Sequence, residues 1–172
     1  MDLAGPDQVI LEAIGFGADW KIHYCSYSPE LVSSAGLPLG QVKHFRQVPL
    51  CKGDYLLVPG ADVGFMLHEN ELKAQPDLLA WIREAYAQGV TVCSICTGAY
   101  VLALSGILDG KDCTTHWKRT KELQAYFPAL QVVENVLFTQ EDGIFTSAGV
   151  AAGIDMTLHI VDANSRSKHP KP

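Results

Sequence analysis

Val90-Thr91-Val92-Cys93-Ser94-Ile95-Cys96-Thr97-Gly98-Ala99-Tyr100 is the stretch on which the fold turns. Its first half, Val90 to Ile95, is a short apolar run rich in β-branched residues, the pattern of a strand buried on both faces. It passes without a linker into Cys96-Thr97-Gly98-Ala99, and Tyr100 to Leu104 then continue as a helix. A strand that turns at once into a helix, with a glycine two residues past the corner, is the local form of a nucleophile elbow. A cysteine at that corner faces unpaired backbone N–H groups and the positive end of the helix, and both favour the thiolate. Two readings of Cys96 stay open at this point, a working thiol and a small buried hydrophobe, which free cysteine often is.

Working outward, apolar runs alternate with amphipathic segments, as in a parallel sheet covered by helices on both faces. Upstream, Tyr55-Leu56-Leu57-Val58 stops at Pro59-Gly60 and predicts a buried strand ending in a turn. Leu78, Leu79, Ile82, Ala85 and Tyr86 recur at helical spacing over Pro76 to Gln88, with Gly89 as the stop. Nearer the start, Val9, Ile10, Ala13 and Ile14 predict a helix over Asp7 to Gly17, followed by a strand over Lys21 to Ser26. Ser33 to Pro49 is rich in Gly, Pro and Ser and fits an extended excursion. Downstream, a helix is expected from Thr114-Thr115-His116-Trp117 to about Tyr126 and a strand over Val132 to Val136. Glu141-Asp142-Gly143 sits between alternating runs and predicts a hairpin. A last helix begins near Val150 and breaks at Asp162-Ala163-Asn164, leaving Ser165 to Pro172 as a disordered tail. The expected organisation is one domain over residues 1–162 and a tail over 163–172.

Composition narrows the function classes. The chain has 172 residues, 48% of them hydrophobic, enough for one sizeable core. No run reaches the roughly 18 apolar residues of a membrane helix, and Met1 to Pro6 lacks the pattern of a secretory signal, so a cytoplasmic protein is expected. Five cysteines without regular spacing do not make a disulfide framework. A formal net charge of −6 offers no basic surface for nucleic acid. Cys93 and Cys96 spell C-x-x-C, but Cys93 belongs inside the strand, and no second pair accompanies it to complete a zinc site.

Four ordered motifs add a resemblance. They are Ser94-Ile95-Cys96-Thr97-Gly98-Ala99, Gly106-Ile107-Leu108-Asp109-Gly110-Lys111, Thr114-Thr115-His116-Trp117, and Thr146-Ser147-Ala148-Gly149-Val150-Ala151-Ala152-Gly153-Ile154-Asp155. Together they resemble the ThiJ/PfpI superfamily, which is class I glutamine amidotransferase-like. More narrowly they resemble the branch holding isocyanide hydratase and the sensor domains of AraC-type transcriptional regulators. The resemblance implies a doubly wound, flavodoxin-like α/β sheet, with the family's first strand missing because Met1 stands where it should be and an unfilled slot left in the sheet.

It also implies roles for named residues. Cys96 is the nucleophile, and Asp2, in Asp2-Leu3-Ala4-Gly5-Pro6, is the acid beside it. Thr97 supplies an oxyanion donor through its backbone N–H, and Gly60 or Ala61 supplies the second, while Gly98 lets the elbow close. An Ala61 forced to positive φ would be strained, which favours Gly60. His116 is a base or orienter, or equally a structural histidine; Asp2 is otherwise a helix cap, and Thr97 an ordinary first-turn threonine. No cofactor and no metal are implied. Two functions follow. One is a ligand-sensing regulator domain whose DNA-binding part lies outside this chain, with a small-molecule ligand and a homodimeric partner. The other is a cysteine enzyme hydrating isocyanides.

Overall fold

The computed structural model describes residues 2–67 and 74–168. Helix α1 (Ala4–Gly15) opens the chain and is followed by four two-residue strands. These are β1 (Cys25–Ser26), β2 (Leu31–Val32), β3 (Pro38–Leu39) and β4 (Lys43–His44). Next come β5 (Tyr55–Val58), α2 (Val63–Leu67), α3 (Pro76–Ala87) and β6 (Thr91–Ile95). A 3-10 turn over Cys96–Gly98 leads into α4 (Ala99–Ser105), then β7 (Asp112–Cys113), α5 (Thr120–Tyr126) and β8 (Gln131–Val132). The hairpin β9 (Phe138–Glu141) and β10 (Ile144–Ser147) and the helix α6 (Val150–Lys168) complete it.

The central sheet has the order β5-β6-β10-β9. β6 runs parallel to both neighbours, Val58 opposite Ser94 on one side and Thr146 opposite Ser94 on the other, while β9 is antiparallel to β10. Side chains alternate across β6. Val92 joins a core with Leu79, Ile82, Tyr100 and Leu102 from α3 and α4, whereas Cys93 and Ile95 join Phe145, Met156 and Ile160 on the α6 face. Helices therefore cover both faces, as the alternation of runs requires. A Cβ at Gly153 would stand 2.7 Å from Ile95 Cγ2, so the glycine lets α6 lie directly on the strand that carries the elbow. Gly5 does the same between α1 and Ile154 of α6, where a Cβ would stand 2.8 Å from Cγ1.

β1 and β4 pair with each other in a separate two-stranded parallel sheet. Among the described residues, β5 has a strand partner on its β6 side alone. This division also limits the length of β1. The expected strand over Lys21 to Ser26 shrinks to Cys25–Ser26, because extended backbone without a neighbouring ladder forms no strand hydrogen bonds.

Other boundaries also move. The first helix starts at Ala4 rather than Asp7, with Pro6 tolerated because it falls in the first turn, where no intrahelical N–H bond is lost. The helix expected from Thr114 begins only at Thr120, and Asp112–Cys113 instead pairs in parallel with Gln131–Val132. That strand thus starts a residue before Val132 and ends there, well short of Val136. The hairpin turn is Asp142-Gly143 with φ of 48° and 78°, the primed geometry that matches strand twist, so Glu141 belongs to the strand. The last helix runs through Asp162-Ala163-Asn164 to Lys168, so 165–168 of the expected tail are helical and the rest lies outside the described residues. Asn164 holds this extension in place, donating from Nδ2 to the Tyr55 hydroxyl and to the Ile160 carbonyl, each at 2.8 Å.

Candidate functional site

Cys96 stands at the carboxyl end of β6 with φ of 56°, a left-handed conformation that a side-chain-bearing residue rarely adopts. The corner is tight enough to dictate its neighbours. A Cβ at Gly98 would collide with the Val58 carbonyl oxygen and lie 3.1 Å from that of Pro59. Glycine is therefore required there by space, since its own φ is an ordinary −55°. Cys96 itself is buried, with 8% of its surface exposed.

Three expected residues converge on this corner. Asp2, in the turn before α1, brings its carboxyl into hydrogen-bond contact with the thiol. The Thr97 backbone N–H and hydroxyl also act on the sulfur, and the hydroxyl donates to the Ala61 carbonyl at 2.7 Å. Gly60 closes the third side: a Cβ there would collide with the Asp2 carboxyl and come within 2.6 Å of Thr97 Oγ1 and 3.0 Å of Thr97 N. Neither Gly60 nor Ala61 has positive φ, so the glycine is needed for room, and Ala61 carries no strain. Ala61 contributes its carbonyl to the threonine.

The thiol does not behave as the dipole argument expects. Burial, first, and the negative charge of Asp2, second, push its pKa up to about 11, against a smaller lowering by the Thr97 N–H. The cause lies in burial and in the carboxylate of Asp2, which together exceed the Thr97 contribution. At neutral pH Cys96 is a protonated thiol sharing a hydrogen bond with a carboxyl. Cys93, fully buried, is pushed much further up by desolvation and serves packing; all five cysteines are free.

His116 is placed differently from the other expected residues. Its Nδ1 accepts from the Lys118 backbone N–H at 3.3 Å, and its ring stacks on Trp117 with centroids 5.7 Å apart. The charges and hydrogen bonds that act on the thiol come from Asp2 and Thr97 instead. Trp117 and Lys118 border a separate hollow of about 230 Å³ that Thr120, Lys121, Glu134 and Asn135 complete. The residue of the Thr-Thr-His-Trp motif that does reach the elbow is Thr115. It has no exposed surface, and its hydroxyl donates to the Cys96 carbonyl at 2.9 Å. Its neighbour Thr114 donates its backbone N–H to Thr146 Oγ1 at 2.6 Å, tying the motif to β10. A threonine pair carries no sequence signal for this contact, whereas a histidine attracts a catalytic reading by its chemistry alone.

A strained cysteine at a strand-to-helix corner, an acid on its sulfur and a glycine-lined turn opposite define a nucleophile-elbow α/β domain. Residues 1–163 match the DJ-1/PfpI family, and the chain belongs to that family. It is 34% identical over 161 residues to the isonitrile hydratase of Pseudomonas putida, covering 92% of this chain and 64% of that protein. It is 39% identical over 113 residues to the HTH-type transcriptional regulator CdhR of Pseudomonas aeruginosa, covering 66% of this chain and 32% of the regulator. The chain thus spans less than two thirds of either relative. Among solved structures, a ThiJ/PfpI family protein from Pseudomonas syringae superposes with a TM-score of 0.75 at 25% identity, over 99% of this chain and 70% of that one. An AraC family transcriptional regulator from Pseudomonas putida gives 0.75 at 19% identity, over 94% and 84%, and shares the fold. The chain is thus related both to a transcriptional regulator and to an isonitrile hydratase. Among the described residues, no helix is long and apolar enough to cross a membrane.

Proposed function

We propose that this domain is the small-molecule-sensing part of an AraC-type transcriptional regulator, with the Cys96 corner as its ligand pocket. The observation that supports this is the arrangement at the corner, where Asp2 and Thr97 act on a buried thiol and Gly60 packs against both. Burial and the Asp2 charge push the thiol's pKa up to about 11, which favours its protonated form. The corner brings together a carboxyl, a thiol, a hydroxyl and the Thr97 N–H, a set suited to a compact polar ligand. The regulator relative lends the same direction. The domain works in the cytoplasm as a homodimer and, at net charge −6, leaves DNA contact to another part of the protein.

The test is thermal unfolding against a panel of small amines, amino acids and carboxylic acids, with Gly60→Val as the control. A ligand present at 100 times its Kd stabilises by about 2.7 kcal/mol. Such a shift in the wild type, absent in Gly60→Val, supports the reading; compounds that protect both equally place the pocket elsewhere.

A second reading is favoured by the 34% identity to isonitrile hydratase and by the Asp2–Cys96 contact. In it the sulfur bonds to the terminal carbon of an isocyanide while the thiol proton passes through Asp2 to that same carbon, giving a thioimidate. Water then adds to this carbon, the sulfur leaves with a proton, and the product is the N-substituted formamide.

A further inference from the structure

The backbone of the elbow is held from a side that none of the expected site residues occupies. Cys96 keeps φ of 56°, a conformation that persists only where surrounding contacts impose it. Gly98 against Val58 fixes the far end of the turn by contact, but contact alone does not set the tilt of the peptide between Cys96 and Thr97. That peptide has a carbonyl at one end and, antiparallel to it across a rigid plane, the Thr97 N–H at the other. The Thr115 hydroxyl donates to the carbonyl at 2.9 Å from a position with no exposed surface. The Thr97 N–H, at the opposite end of the plane, acts on the Cys96 sulfur in the sense that favours its thiolate.

Thr115 is itself immobilised. The preceding Cys113 lies in β7, its carbonyl accepts from Val133 N–H at 2.8 Å, and Thr114 N–H is bound to Thr146. The chain thus presents one hydroxyl, anchored from two directions, to one carbonyl of the corner.

We propose that Thr115 is the positioning residue of the elbow: by gripping the Cys96 carbonyl it holds the Cys96–Thr97 peptide so that the Thr97 N–H points at the sulfur and at the negatively charged atom of a bound ligand. The hydroxyl also polarises the peptide it grips, strengthening the N–H as a donor. Without it the peptide is free to rotate toward an unstrained φ, carrying the N–H away from the sulfur. The inference rests on the reading of Cys96 as the working group of the pocket, and it extends that reading to a residue that touches neither ligand nor sulfur.

The test is the pH profile of Cys96 alkylation by iodoacetamide, read by mass spectrometry on the 172-residue chain, for Thr115→Val, Thr115→Ser and Asp2→Asn. Valine keeps the shape and removes the donor; serine keeps the donor and removes a methyl group. Thr115→Val is expected to raise the apparent pKa of Cys96 by about one unit, since a donor to the thiolate is lost. At pH 9 the thiolate fraction falls about tenfold and its greater intrinsic nucleophilicity restores about threefold, so labelling slows three- to fourfold. Thr115→Ser is expected to keep the wild-type profile even where its melting temperature falls. A Thr115→Val profile that coincides with wild type, or a Thr115→Ser profile that shifts as far as the valine variant, overturns the proposal. If Thr115→Val does not fold, the serine variant decides alone: a shifted profile in a folded serine variant refutes the hydroxyl's role, and an unshifted one with lowered stability supports it. Asp2→Asn separates the two failures. If it shifts the profile and Thr115→Val does not, only the inference falls; if neither shifts it, the reading of the Cys96 corner falls with it.

Discussion

Asp2→Asn removes one negative charge from the sulfur and leaves a side chain of the same size. Asp2 raises the Cys96 pKa both by its charge and by its hydrogen bond, on top of the larger effect of burial, and the sum stands at about 11. Removing a charge at hydrogen-bond distance moves a pKa by about one unit or more, so the variant's thiol is expected near 10 or somewhat below. At pH 8 the ionised fraction then rises from about one in a thousand to about one in a hundred. Nucleophilicity falls as the pKa falls, with a Brønsted slope near 0.45, which removes about threefold of that gain. Alkylation of Cys96 at pH 8 is therefore expected to run three- to fourfold faster in the variant, with the midpoint of its pH profile displaced downward. Competitive labelling with light and heavy iodoacetamide, quantified on the peptide containing Cys96, measures both. A profile unmoved by the substitution, or moved upward, refutes the placement of the carboxyl on the sulfur.

Three further outcomes follow from the geometry. Gly98→Ala drives a methyl group into the Val58 carbonyl, a backbone atom that cannot swing aside, and is expected to cost about 1–3 kcal/mol in urea denaturation; a variant as stable as wild type would mean the elbow is looser than described. Raising the pH should destabilise the fold. Cys96 is pushed up to about 11, Cys113 to about 12 and Cys93 further, all chiefly by burial, so the folded state holds protons that the unfolded chain loses near pH 9. That contribution is complete below pH 9 and lost as pH rises through 11 to 12. The urea midpoint should accordingly fall between pH 8 and pH 10.5, and a rise would contradict the burial of these thiols. Asn164→Ala removes the tie from α6 to the Tyr55 hydroxyl and should cost about 1 kcal/mol, visible as earlier amide exchange near the end of α6; unchanged exchange would show that the last turns hold without it.

Much of this architecture was legible because its strongest signals are local. Tyr55–Val58, Thr91–Ile95 and the Cys96–Gly98 corner appear where short apolar runs meet Pro-Gly or Thr-Gly, and the Asp142-Gly143 turn where only residues tolerating positive φ fit. The misread parts depend on distant partners. Lys21 to Tyr24 has strand composition, yet a strand is a property of a pair, and pairing is formed only at Cys25–Ser26. Asp112–Cys113 and Gln131–Val132 are too short to stand out and exist through each other. Within the site, Asp2 and Thr97 act on the sulfur and Gly60 packs against both. The ionisation of that sulfur was not legible, because it depends on burial and on a carboxyl brought in from the start of the chain. The contact of Thr115 with the corner depends on where β7 delivers the chain, which composition does not encode.

The proposed sensing role requires a Cys96 corner that binds a ligand with its thiol protonated and does not consume it. Mixing the protein with a hundredfold excess of an aryl isocyanide at pH 7.5, and following isocyanide and formamide by NMR, tests this directly. Less than one equivalent of formamide, the same for wild type and Cys96→Ala, is the expected result. Many equivalents, lost in both Cys96→Ala and Asp2→Asn, would contradict the sensing account and establish the thiol as a nucleophile that turns over.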